Sequence, residues 1–390
     1  MNDSILNTEI QNFINSNLKN TIEKLILKGS PFKNIAVQEL ANQILAKRKS
    51  EGKLPSWFQT ENIYYPPKLS IEQTSSEITA NYKASLIKGN TIIDLTGGFG
   101  VDCYAFSQTF KQVIHCEINE DLSKIVKHNY QQLNANNIET IATNGIEFLK
   151  ENNEKYDWIY IDPSRRNDIK GKVFLLDDCL PNVPKNIDLL FSKTNNILIK
   201  NSPILDITST INELNFVKEI QVIAVQNEVK ELLFILEKDY VDAVQVKAVN
   251  LTKHKTEKFS FNLESQASST YSNPLQYLYE PNAAILKSGG FHEVSEQLNI
   301  AKLHQHSHLY TSNEVVDFPG RTFTIQQVTP FNKKELKKHL PSLKANITTR
   351  NFPISVAEIR KKTKIKDGGN TYLFFTTNLN NEHIIIICVK

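Results

Sequence analysis

The chain has 390 residues, 40% of them hydrophobic and 22% charged, enough to bury two or three cores and unlike a disordered or fibrous protein. No apolar run approaches the roughly 18 residues of a membrane helix, and residues 1–30 lack the pattern of a signal peptide, so a cytoplasmic protein without membrane contact is expected. The net charge of +3 conceals a division: residues 321–390 carry 13 Lys plus Arg against 4 Asp plus Glu, a balance of +9, which leaves −6 on residues 1–320.

Residues 1–84 are expected to form a helical region, because Ile10, Phe13, Ile14, Leu18, Ile22 and Leu25 recur at helical spacing. Pro55, Pro66 and Pro67 punctuate an extended segment whose Trp57, Tyr64 and Tyr65 suit either a core or a substrate contact. Glu72-Gln73-Thr74-Ser75-Ser76-Glu77 then opens a helix, and its hydroxyls suit a helix N-terminus.

From 85 to 240 strand and helix patterns alternate, which predicts a doubly wound α/β core. Its first strand ends in Asp94-Leu95-Thr96-Gly97-Gly98-Phe99-Gly100, followed 23 residues after Asp94 by Glu117 at the end of the next apolar run. Strand, glycine turn, helix, strand and acid is the order that builds a site for an adenosine-containing cofactor, with the acid placed to accept hydrogen bonds from ribose hydroxyls. A carboxylate there repels a 2′-phosphate, and the glycines fall as G-G-x-G rather than G-x-G-x-x-G, so a dinucleotide site is disfavoured.

A third apolar segment leads to Ala142-Thr143-Asn144-Gly145, and a fourth, from Tyr156, ends in the polar cluster Asp162-Pro163-Ser164-Arg165-Arg166. The fifth strand is Asn196-Ile197-Leu198-Ile199-Lys200. Two more strands, 218–225 and 232–236, flank the turn residues Gln226-Asn227-Glu228 and predict a closing antiparallel hairpin. The cysteines, Cys103, Cys116, Cys179 and Cys388, are scattered without C-x-x-C spacing, which points away from a zinc knuckle or a disulfide framework.

Residues 241–319 read as β-rich, with strands alternating over 240–275 and with His304, His306 and His308 spaced to share one face of a strand. No carboxylate or cysteine accompanies these histidines at ligand spacing, so no metal is expected and their role stays open. Residues 320–390 read strand, helix, strand, helix, hairpin, with Arg350 and the helix of Arg360, Lys361 and Lys362, followed by Lys364, on one exposed side. Such a cluster is either a solvated cationic face or the footprint of a phosphate-backbone binder, and the charge balance favours nucleic acid.

With these residues in place, the chain resembles the class I S-adenosylmethionine (SAM) methyltransferases. The glycine turn is similar to their first motif, with Thr96 at the place of its usual first glycine, and Asp162-Pro163-Ser164-Arg165 is similar to their D-P-P-x tetrad with its usual aromatic residue replaced by Arg165. The segments EQTSSEITANYKASL, DLTGGFGVD, DPSRR, EPNAAILKSGG, FPGRTF and NITTRNFPISVAEIRKK together resemble a group of bacterial methyltransferases that end in a THUMP-like domain. The resemblance implies a Rossmann-like seven-stranded core at 85–240, a small ferredoxin-like insert near 276–318 and a THUMP-like basic module at 320–390.

It also implies roles. Gln73, Ser75 and Asp94 would hold the methionine end of SAM, Thr96, Gly97, Gly98, Phe99 and Gly100 would form the turn, Glu117 would bind ribose, Ile118 would pack on adenine, and Asn144 would bond its amino group. Asp162 and the carbonyls around Pro163 would hold or deprotonate the target, with Arg165 and Arg166 gripping base or phosphate. Arg350, Arg360, Lys361, Lys362 and Lys364 would bind RNA, transfer or ribosomal, and the methyl would pass directly to a base. Cys179 is the candidate for a rival covalent route, but the acids Asp177 and Asp178 beside it would raise a thiol pKa. A protein or small-molecule methyltransferase and an RNA-binding protein with an inactive core are the remaining alternatives, and the oligomeric state is not legible.

Overall fold

A computed structural model describes residues 1–165, 175–340 and 342–390. The chain divides into two compact units, residues 1–218 with 233–241, and residues 219–232 with 242–390. None of the described helices is long and apolar enough to cross a membrane.

The first unit opens with helices because its apolar residues recur on one face of each. In α1 (Thr8–Ser16) the Asn7 side chain caps the amide of Glu9, and Ile10 and Ile14 are buried; α2 (Ile22–Lys28) buries Ile22 and Leu25. The longer α3 (Val37–Lys53) buries Leu40, Ala41 and Ile44, and the short α4 (Pro55–Gln59) buries Trp57. After α4 the chain runs extended through two buried tyrosines, and amide side chains satisfy its backbone. Gln43 of α3 accepts from Tyr65 N at 3.0 Å and donates to Tyr65 O at 2.7 Å. Trp57, Tyr64 and Tyr65 are therefore core residues. Two helices then precede the sheet, α5 (Lys68–Gln73) and α6 (Glu77–Leu86), the second capped by the Ser76 side chain as its hydroxyl pattern suggests.

The strands of this unit are β1 (Thr91–Asp94), β2 (Gln112–Cys116), β3 (Ile138–Ile141), β4 (Trp158–Ile161) and β5 (Asn196–Asn201), and β1 pairs in parallel with β2 and β4, β2 with β3, and β4 with β5. They are joined by α7 (Val101–Ser107), α8 (Glu120–Gln132), α9 (Gly145–Glu151) and α10 (Val183–Lys193). The strands read as short Ile-rich runs because parallel strands between helices are buried on both faces. With β1 at the centre, successive strands run outward to β3 and then reverse through β4 to β5. That reversal opens a crevice at the carboxyl ends of β1 and β4, where ligands bind in this architecture. Asn129 of α8 ties the N-terminal helices to this sheet: its side chain accepts from Tyr64 N and donates to Tyr64 O, both at 2.9 Å.

The expected closing hairpin is formed by β6 (Val217–Val225) and β7 (Glu228–Glu237), neighbours in a sheet of nine strands rather than the seven expected. Its two-residue turn places Gln226 (φ 50°) and Asn227 (φ 65°) in the left-handed region, the geometry that matches the twist of the flanking strands.

In the second unit β8 (Gln245–Leu251) pairs in parallel with β6 and antiparallel with β9 (Thr256–Asn262). A separate seven-stranded sheet follows, built from β10 (Tyr277–Pro281), β11 (Ala301–Lys302), β12 (Tyr310–Ser312), β13 (Gly320–Pro330), β14 (Asn346–Arg350), β15 (Thr371–Thr377) and β16 (His383–Val389), in the order β11-β12-β10-β13-β16-β15-β14. Residues 277–319 and 320–390 thus share one sheet, and β13 pairs with strands of both segments. Period-two alternation gives the sheet two apolar faces. Leu373, Phe375, Ile385 and Ile387 pack with Leu336 and Ile359, from the helices Lys333–His339 and Val356–Thr363; Phe374, Ile384, Ile386 and Cys388 pack with Leu278, Leu303 and Leu309.

The histidine run differs from its expected strand. Residues 303–309 form a turn, pinned where the Ser307 hydroxyl donates to Thr377 O at 2.8 Å. His304 lies within hydrogen-bond distance of Asn351 and Asn381, while His308 stacks on Phe291 at 3.6 Å and burial lowers its pKa to about 4. No group of His, Cys, Asp or Glu among the described residues is arranged to hold a metal ion.

Candidate active site

The turn after β1 is shaped by what lies beneath it. A Cβ on Gly97 would fall 2.2 Å from the His115 ring, which is buried under the turn and kept neutral, its pKa lowered by burial to about 4. Gly98, at φ +54°, has no such neighbour, so its open side faces the cavity described below. Asp94 closes the turn from the other end: its Oδ1 accepts from Thr96 N at 2.8 Å and from the Thr96 hydroxyl at 3.0 Å. Burial pushes the Asp94 pKa up to about 7, opposed by the Thr96 amide and reinforced by the charge of Asp102.

Thr96 also joins the two motifs that the sequence separates by more than sixty residues. Its Oγ1 accepts from Asp162 N at 2.7 Å, which fixes the end of β4 against the glycine turn. The Asp162 carboxylate forms an ion pair with Lys200 at the end of β5. On the other flank Glu117 accepts from Gly98 N at 2.9 Å and from Asn119 N at 2.8 Å, which leaves each carboxylate oxygen a further lone pair.

These elements surround a cavity of about 720 Å³ inside the first unit. Gln73, Ser75, Asp94, Thr96, Gly97, Gly98, Phe99, Glu117, Ile118, Asn144 and Asp162 all line it. Gly100 and Pro163 do not, although each neighbours lining residues in sequence. The Phe99 ring packs 6.2 Å from Trp57 and 6.5 Å from Tyr65. The Asn144 side-chain oxygen caps α9 by accepting from Ile146 N, so its amide NH₂ is the group left to meet a ligand. The Arg165 side chain and Arg166 lie outside the described residues.

Several site residues were not singled out from the sequence. Lys83, fully buried on α6, lies 3.1 Å from an Asp102 oxygen, and Asp102 also accepts from Ser75 at 2.8 Å and from Tyr160 at 2.9 Å. Burial alone would raise the Asp102 pKa, but Lys83, Lys200 and the hydrogen bonds from Ser75 and Tyr160 together hold the group below its ordinary value. One signal was available: Lys83 shares its helix face with Ala80 and Ala84, and a lysine on a small-residue face asks for a buried partner. Cys179 is buried, and its thiol donates to Leu175 O at 3.7 Å.

In the second unit the expected RNA-binding residues separate into two kinds. Arg350 pairs with buried Glu280, as does Arg321, and Arg360 pairs with Asp367 while donating to Ile365 O and Ala345 O. Lys361, Lys362 and Lys364 are exposed.

The cavity fits SAM on three observations: the open side of Gly98, the backbone-anchored carboxylate of Glu117 with acceptor capacity to spare, and Ile118, an apolar side chain 71% exposed at the cavity wall. The sheet, the glycine turn and the acid at the end of β2 define a class I methyltransferase with a Rossmann-like core, the SAM-dependent class.

Comparison with known proteins agrees. Family profiles match residues 66–183 (conserved hypothetical protein 95), 277–319 (ferredoxin-like domain) and 320–390 (THUMP domain-like). A crystal structure of a candidate methyltransferase from Porphyromonas gingivalis W83 is 32% identical, covers 100% of this chain and 98% of its own, and superposes with a TM-score of 0.90. The chain belongs to the family of that methyltransferase. An rRNA methylase from Streptococcus thermophilus is 14% identical over 41% of this chain and 94% of its own, with a TM-score of 0.31. TrmK of M. capricolum, solved with S-adenosyl-homocysteine, is 19% identical over 45% of this chain and 70% of its own, with a TM-score of 0.30. No curated protein matches the chain.

Proposed function

We propose that the chain methylates a base in structured RNA, transfer or ribosomal, in the cytoplasm. The observation that carries the reading is the Thr96 bridge, which ties the glycine turn to Asp162 beside one cavity. SAM, when bound, supplies a methyl already activated on a sulfonium, so the protein has to align a nucleophile with it and exclude water. Gly97, Gly98 and Glu117 hold the adenosine end, with Ile118 and the Asn144 amide at the ring, and Gln73, Ser75 and Asp94 face the methionine end. Asp162, kept in place by Thr96 and Lys200, accepts a hydrogen bond from the target base, which leaves its stack to reach the cavity. Arg165 and Arg166 are proposed to grip that base or its phosphate. The exposed Lys361, Lys362 and Lys364, on a segment of balance +9, suit a phosphate backbone, and the family profile over 320–390 supports the same reading.

The test is transfer of labelled methyl from SAM to purified transfer and ribosomal RNA. Ribonuclease-sensitive label in the macromolecular fraction, abolished in Asp162→Ala even at SAM concentrations that saturate the variant, is expected. Label that resists ribonuclease, or full activity in Asp162→Ala, would contradict the proposal.

A further inference from the structure

Among the described residues, the charged groups lining the cavity are nearly all acids. Among the described lining residues Asp94, Asp102, Glu117, Glu147 and Asp162 stand against one ammonium, Lys150, which already pairs with Glu147 at 2.9 Å. Lys83 and Lys200 offset part of this charge, but neither lines the cavity: each sits behind a carboxylate that does. Burial raises the Asp94 pKa to about 7, and the neighbouring charge of Asp102 adds to the rise.

The consequence concerns sulfur. In SAM it is a cationic sulfonium; once the methyl has left, the thioether of S-adenosyl-homocysteine is uncharged, while the rest of the molecule keeps its charges. On the reading above the transferable methyl would face Asp162, which would put the sulfur that carries it near that carboxylate. We propose that the acid-lined cavity reads the charge on the cofactor sulfur, holding SAM through its sulfonium and weakening its grip on the product, with Asp162 and its partner Lys200 setting the margin. The inference rests on the SAM reading of this site and adds to it a means of favouring cofactor over product. Lys200 is here a positioning residue: it steadies Asp162 and takes back part of the negative charge the cation sees.

Calorimetric titration with SAM, S-adenosyl-homocysteine and sinefungin, a SAM analogue with an ammonium in place of the sulfonium, tests it without any RNA. Asp162→Asn should weaken SAM and sinefungin by roughly tenfold and change the product by less than about threefold, since a charge a few ångströms away, even partly offset by Lys200, acts on the cations alone. Lys200→Met should move the ratio the other way, favouring SAM over product, a direction general damage to the site does not produce; Lys200→Arg should restore the parent ratio. Equal losses for all three ligands in Asp162→Asn, or a ratio in Lys200→Met unchanged or shifted toward product, would overturn the proposal alone. Failure of the unaltered protein to bind any of the three would overturn the SAM reading and this proposal with it.

Discussion

Asp94 is held where its ionised form is costly, because the turn needs an acceptor at a position burial has stripped of water. Its ordinary pKa is 3.8 and its folded value about 7, raised chiefly by burial, so its contribution to stability is fully present below pH 3.8 and is lost as pH rises through about 7. Asp94→Asn removes that dependence. Denaturant unfolding of the cofactor-free protein should show the variant gaining on the parent between pH 4 and pH 7, by at most ~4 kcal/mol. A difference that stays flat with pH would contradict this account. Asp94 was legible in the sequence because it leads a glycine turn and its chemistry is local. Asp102, Lys83 and Tyr160 were not, since their partnership is made only when α6, α7 and β4 meet.

Elements were legible where one period dominates and obscure where side chains substitute for backbone partners. The short Ile-rich strands and the hairpin turn at Gln226 and Asn227 announce themselves. The extended segment at Tyr64 and Tyr65 joins no strand, and its backbone is satisfied by Asn129 and Gln43. Asn129→Ala would leave a buried N–H and C=O at Tyr64 without partners, a cost of about 2–4 kcal/mol measurable as a lower unfolding midpoint. A loss under about 0.5 kcal/mol would show that the segment is held by its aromatics instead. The histidines at 304, 306 and 308 mislead in the opposite sense. Alternation over five residues fits a strand, but here it arises in a turn that the buried Ser307 hydroxyl fixes to Thr377 O. Period two is evidence for a strand only where the intervening residues do not anchor elsewhere.

At the scale of the whole molecule, the charge division of −6 and +9 was legible from composition, but which cations it leaves available was not. Arg350 and Arg360 carry two of the positive charges that drew attention to the segment, and both are committed internally, to Glu280 and to Asp367 with two backbone carbonyls. What remains for a partner is exposed lysine, including Lys361, Lys362, Lys364 and Lys366. Substitutions of the exposed lysines and of the committed arginine should therefore behave differently. Reversing Lys361, Lys362 and Lys364 to Glu should leave thermal unfolding within a few degrees of the parent while weakening RNA binding and lowering the slope of log affinity against log salt by up to about 2, at roughly 0.7 per phosphate contact on a single strand. Arg360→Glu sets a carboxylate against the Ile365 and Ala345 carbonyls and should cost about 2 kcal/mol or more of stability, since it removes a half-buried donor and leaves those acceptors facing a like charge. Filter binding across a salt series, run beside thermal unfolding, separates the two. RNA affinity indifferent to the lysine reversals would rule this face out as the RNA contact, and an Arg360→Glu protein as stable as its parent would return that arginine to the set of free cations.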